Sequence, residues 1–109
     1  MKLTNAQIFD LATSLEQLME KQMPVKLAFQ LSRIFLALEN QRKAIALVVG
    51  KLPKGEDGMP EAEPFRELLS IENDIPLEPV DPEELFQAFS SITPKQALAL
   101  LPILKGGES

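Results

Sequence analysis

Glu72, Asp74, Glu78, Asp81, Glu83 and Glu84 form the only dense group of side chains with acid, base or ligand chemistry. Three or more carboxylates can hold a hard cation such as calcium or magnesium, but these lack the Asp-x-Asp/Asn-x-Asp/Asn-Gly order and distant Glu of an EF-hand loop. Two carboxylates can serve as general acid and base in glycoside hydrolysis. That reaction also needs a cleft and usually aromatic surfaces for the sugar, and Phe is the only aromatic type in this chain of 109 residues. Capping and solvation account for the cluster more simply: Asp81 precedes Pro82, and Glu83 and Glu84 would lie in the first turn of a helix, where negative charge is favoured.

The other catalytic side chains are missing. With no His, Cys, Trp or Tyr, the chain offers no Ser-His-Asp or Cys-His site, no zinc site of the usual nitrogen and sulfur type, and no disulfide. Gly50-Lys51-Leu52-Pro53-Lys54-Gly55 holds glycine and lysine without the Gly-x-x-x-x-Gly-Lys-Ser/Thr order or preceding strand of a phosphate loop. Lys26, Arg33, Arg42 and Lys43 are not closely clustered, and a net charge of −5 opposes direct nucleic-acid binding. The expectation is a non-enzyme with no catalytic residue, no cofactor and no metal.

The hydrophobic share of 45% and charged share of 25% suit one globular domain with a modest core. Thr4-Asn5-Ala6-Gln7 has the form of a capping box, and Ile8, Leu11, Ala12, Leu15, Leu18 and Met19 follow at helical spacing. Pro24 ends that helix and begins another, which runs without Gly or Pro to about Val49. This second helix carries a heptad seam, Ala28, Leu31, Phe35, Leu38, Arg42, Ile45, Val49 and Leu52. Beside it runs a second column, Leu27, Ile34, Gln41 and Val48. Two apolar columns imply cover from two directions: the first helix on one side, and the C-terminal half or another subunit on the other. The polar belt Glu39-Asn40-Gln41-Arg42-Lys43 is either solvated or a register device or contact surface within an oligomer.

Residues 50–62, rich in Gly, Pro and charge, read as a flexible loop. Pro64 to Ile71 suits a short helix. The prolines of Ile71-Glu72-Asn73-Asp74-Ile75-Pro76-Leu77-Glu78-Pro79-Val80 exclude a helix and a central strand, leaving an extended or edge-strand segment. Helix starts follow at Asp81-Pro82-Glu83-Glu84 and Thr93-Pro94-Lys95-Gln96, and Gly106-Gly107 ends the fold. The fold class expected is mostly α. One domain contains a helical hairpin over 1–49 with one long helix, the loop over 50–62, a Pro-rich extended segment with two or three short C-terminal helices over 63–105, and a tail at 106–109.

Charge divides along the chain. Residues 1–54 hold eight Lys/Arg and four Asp/Glu, a net of +4, whereas 55–109 hold three against twelve, a net of −9. Such halves can neutralise each other within one chain or between chains. The candidate contact residues are therefore Leu27, Ile34, Gln41, Arg42 and Val48 on the long helix, and Glu72, Asp74 and Glu78 in the acidic half. Of these, whichever of Leu27, Ile34 and Val48 are exposed are expected to make the contact.

The order of features also resembles a family of short, uncharacterised bacteriophage proteins. The likeness rests on Leu3-Thr4-Asn5, the break at Pro24-Val25-Lys26, the long helix, the charged loop, Glu67-Leu68-Leu69, Ile75-Pro76-Leu77-Glu78-Pro79-Val80 and Ile92-Thr93-Pro94. It implies no catalytic residue. It implies a small accessory or virion-associated protein that binds itself, as a homo-oligomer, or another phage or host protein. The alternative is a host-directed inhibitor using the acidic half. No basic run followed by a long apolar stretch opens the chain, so the expected place is the host cytoplasm, free or on the virion, without membrane or direct nucleic-acid contact.

Overall fold

Thr4 accepts a hydrogen bond from the Gln7 backbone N–H at 3.1 Å while Gln7 Oε1 accepts from the Thr4 N–H at 2.8 Å. The chain enters helix α1, Asn5–Met19, on this closed capping box. The computed structural model describes residues 1–89 and 91–105, so the expected Gly106-Gly107 stop and the tail lie outside the described residues. Helix α2, Val25–Val49, starts one residue after Pro24. Pro24 is the N-cap, and its carbonyl accepts from the Ala28 N–H at 2.9 Å. Its ring fixes φ at −57° and, having no N–H, loses no donor at the helix entrance.

Three shorter helices follow: α3 at Ala62–Ser70, α4 at Pro82–Ala88 and α5 at Pro94–Leu100, the last running into a 3-10 turn at Leu101–Ile103. Asp81 caps α4 by accepting from the Glu83 N–H at 2.9 Å. Thr93 and Gln96 close a second capping box on α5, both bonds at 3.1 Å. Pro102 then prevents continuation as a regular helix. The fold is mostly α, with one long helix and short C-terminal helices.

The segment expected as extended or edge strand supplies one strand of a pair, and its partner at Lys2–Thr4 is an addition to the expected elements. Strand β1, Lys2–Thr4, pairs antiparallel with β2, Glu72–Asp74, in the register Lys2 to Asp74, Leu3 to Asn73 and Thr4 to Glu72. The edge segment therefore does its pairing just before the prolines. From Ile75 to Val80 it runs extended, burying Ile75 and Val80. Val80 donates to the Ile103 carbonyl at 2.7 Å and accepts from Lys105 at 2.9 Å, which ties the segment to the chain after α5.

One core joins these pieces. Ile8, Leu11, Leu15 and Leu18 of α1 meet Leu31, Leu38 and Ile45 of α2, while Leu85, Phe89, Leu100 and Ile103 close the far end. Met19, expected in this stripe, is partly exposed at the end of α1. The 50–62 connection, expected as a flexible loop, is closed on itself. Gly55 donates to the Met59 carbonyl at 2.9 Å, Glu61 to the Pro53 carbonyl at 2.8 Å, and Asp57 Oδ1 accepts from the Met59 N–H at 3.0 Å. Gly58 takes φ +78° there, a conformation that only glycine adopts at little cost. Among the described residues, no helix is long and apolar enough to cross a membrane.

Candidate contact surface

Helix α2 is held on two flanks. On one, Arg42 Nη1 donates to Glu16 Oε2 of α1 at 3.0 Å, Arg42 Nη2 donates to Glu39, and the guanidinium lies 5.4 Å from the Phe35 ring centre. The Arg42 part of the polar belt thus ties α1 to α2 at a set register. On the other flank, Pro76 to Val80 lie along Gln30, Arg33, Ile34 and Ala37, enclosing a cleft of about 170 Å³. Lys26 Nζ also approaches Glu84 of α4 to 3.9 Å. Leu27 and Ile34 of the second apolar column are therefore covered by the chain's own C-terminal half rather than by another subunit.

This corrects two of the expected contact residues. Leu27 and Ile34 are only 3% and 4% exposed, because the proline segment and α4 lie over them, so neither can meet a partner without unfolding. Gln41 and Arg42 are half-buried, and Arg42 is engaged within the chain. Val48, at 41% exposure, stays accessible. Glu72 and Asp74 point outward from β2, and Glu78 is exposed at the proline segment. Asp74 meets the N-terminal ammonium at 3.4 Å. Among the described residues, no three His, Cys, Asp or Glu side chains gather as a metal-holding group.

The large free surface lies on the third side of α2. Val25, Phe29, Leu36 and Leu47 are 86%, 64%, 67% and 68% exposed. At about 100° per residue they fall in one narrow strip opposite Leu31, Leu38 and Ile45. Exposed Lys43 lies within the strip, and Lys26 and Arg33 border it, with the Arg33 guanidinium 5.9 Å from the centre of the Phe29 ring. Singly exposed apolar residues are ordinary, but these four share one face of the longest helix. The signal was present in the sequence: spacings of 4, 7 and 11 residues from Val25 to Leu47 define a third column. The two columns nearer the core obscured it.

A second apolar feature is a groove of about 480 Å³ formed by Ala6, Phe9, Ile45, Ala46, Val49, Phe65 and Leu69, with Asp10 its one charged lining residue. Among the described residues, few ion pairs join the halves of opposite charge. Among the described residues, Lys26 to Glu84 is the one ion pair joining a side chain of 1–54 to a side chain of the acidic half. Compared with known proteins, the chain matches no family model, no curated protein and no solved structure.

Proposed function

We propose that this is a non-catalytic protein that works through protein–protein contact, with the outward face of α2 as the surface on which it self-associates. The observation that carries this reading is the strip of four large apolar side chains, each about two-thirds exposed or more, on a helix whose opposite side is buried. Burying such side chains stabilises by about 1–2 kcal/mol each. Eight of them in a dimer oppose an association cost of about 4–15 kcal/mol. Gain and cost are of similar size, which suits weak, reversible assembly. The resemblance to short phage proteins supports the same class: an accessory or virion-associated protein acting in the host cytoplasm by contact.

Light scattering across a concentration series tests the reading. The wild-type chain should pass from monomer to dimer between about 10 and 500 μM, in line with that balance. Phe29→Asp combined with Leu36→Asp should hold it monomeric with an unchanged far-UV spectrum. A monomeric wild type at the top of the series overturns self-association.

A second reading has its own support. Glu72, Glu78 and Glu83 are exposed and make no ion pair among the described residues, so the acidic half can serve as a face for a basic partner, as a host-directed inhibitor would use it. Capture of a host protein that is lost at high salt and with Glu72→Gln, Asp74→Asn and Glu78→Gln together would establish it. Capture unaffected by that triple substitution would remove it.

A further inference from the structure

A concavity separate from the α2 strip lies where α1, α2 and α3 meet. Ala6, Phe9 and Asp10 of α1, Ile45, Ala46 and Val49 of α2, and Phe65 and Leu69 of α3 enclose about 480 Å³. Ile45 is buried, Val49, Phe65 and Leu69 are half-buried, and Phe9, Asp10 and Ala46 are exposed. The groove thus closes inward from an open mouth to an apolar floor. Its space depends on residue size, because Ala6 and Ala46 are small and a large side chain at either position would fill it.

The lining selects by charge. No Lys or Arg lines the groove, and Asp10, its one carboxylate, makes no ion pair among the described residues. Asp10 attracts a cation, and the phenyl rings of Phe9 and Phe65 favour one over their faces. A ligand carboxylate would meet Asp10 with like charge. Ile45, Val49 and Leu69 offer aliphatic surface to an apolar body.

The lining also selects by size. The residues that each helix contributes are three or four apart, so every wall is one helical turn, about 6 Å long. A docked helix or strand needs a longer trough and about 800 Å² of contact on each partner, whereas a groove one turn long receives a single ring or short chain. We propose that this groove binds a small amphiphilic cation, an aryl- or alkyl-ammonium whose apolar part fills the space between the three helices and whose charged nitrogen sits at Asp10. Val25, Phe29, Leu36 and Leu47 take no part in the lining, so the site goes beyond α2 self-association and does not depend on it.

Titration with three probes of one shape, 4-phenylbutylammonium, 4-phenylbutanol and 4-phenylbutyrate, tests the site through methyl NMR signals. The ammonium should shift Ala6, Ala46, Val49 and Leu69 saturably, with a Kd of about 1 mM for a ligand of about eleven heavy atoms. The alcohol should bind about three-fold more weakly, the gain from one exposed charge pair being small, and the carboxylate more weakly still. Asp10→Asn should bring the ammonium to the level of the alcohol. Ala46→Phe, at an exposed position and checked by its far-UV spectrum, should remove binding of all three. No saturable shift by the ammonium up to about 20 mM overturns the site, as do equal affinities for the three probes. A preference for the ammonium that survives Asp10→Asn, or shifts confined to Leu36 and Leu47, also overturns it. If concentrating the chain without ligand moves the groove methyls, another copy covers the groove and the small-ligand assignment falls. Each of these failures is distinguishable from failure of α2 self-association, which light scattering reads without any probe.

Discussion

Asn5 shows how one buried polar side chain can set the position of several elements. Its Nδ2 donates to the Leu68 carbonyl at 2.8 Å, its Oδ1 accepts from Asn73 Nδ2 at 2.7 Å, and its backbone N–H donates to the Ile71 carbonyl at 2.9 Å. One residue thus joins the start of α1 to the end of α3 and to β2. Asn5→Ala leaves the Leu68 carbonyl only the Ile71 N–H at 3.3 Å and takes the acceptor from Asn73 Nδ2, and the loss of these two hydrogen bonds should cost about 1–3 kcal/mol by urea denaturation. Asn5→Asp retains the acceptor but sets a carboxylate against the Leu68 carbonyl. The protonated acid can donate there, so the folded state binds the proton more tightly than the unfolded state, and the variant should regain stability as pH falls towards about 4. A flat difference from wild type between pH 7 and pH 4 would refute the role assigned to Asn5 Nδ2. In the sequence Asn5 is only the first residue after a cap. Its distant partners Leu68 and Asn73 become visible only when the chain closes.

At the level of helices and strands, local signals and packing divide the work. Both capping boxes and the Asp81-Pro82 start were legible because each is a contact between residues two or three apart. Thr93→Ala should cost about 1 kcal/mol, and a loss near zero would mean that α5 is held by its buried Leu100 alone. The α1–α2 hairpin offers a comparison of forces. Leu38→Ala, at a fully buried site, should cost about 2–5 kcal/mol. Arg42→Ala removes partly exposed ion pairs and should cost about 1 kcal/mol or less. A reversed order would make the polar belt, not the apolar seam, the main tie between the two helices. Strand β1 escaped notice because three residues carry no usable period, and its partner lies about seventy positions away.

For the protein as a body of 46 × 25 × 22 Å, the open question is which long surface meets another molecule. The α2 strip is apolar with cations at its edge, and the acidic half carries exposed carboxylates. Salt acts on the two in opposite directions. Screening of Lys26 and Arg33 should leave α2 self-association unchanged or strengthen it at 0.5 M NaCl, whereas capture of a basic partner by the acidic half should weaken. Sedimentation at two salt concentrations reads the first, and pull-down at the same concentrations reads the second. Self-association that weakens with salt contradicts the α2 interface.

The amino-acid sequence by itself determined the helical class, the cap of each strongly marked helix, the break at Pro24, the extended path of the prolines, and the absence of histidine and cysteine chemistry. These depend on neighbours along the chain or on residue type alone. Which side of α2 stays free was decided only when the chain folded. Leu27, Ile34 and Leu36 are similar apolar residues on one helix, and periodicity separates their columns without saying which will be covered. The proline segment and α4 lie over the first two and leave the third in solvent. That choice depends on contacts some forty to sixty residues apart, which local spacing does not encode.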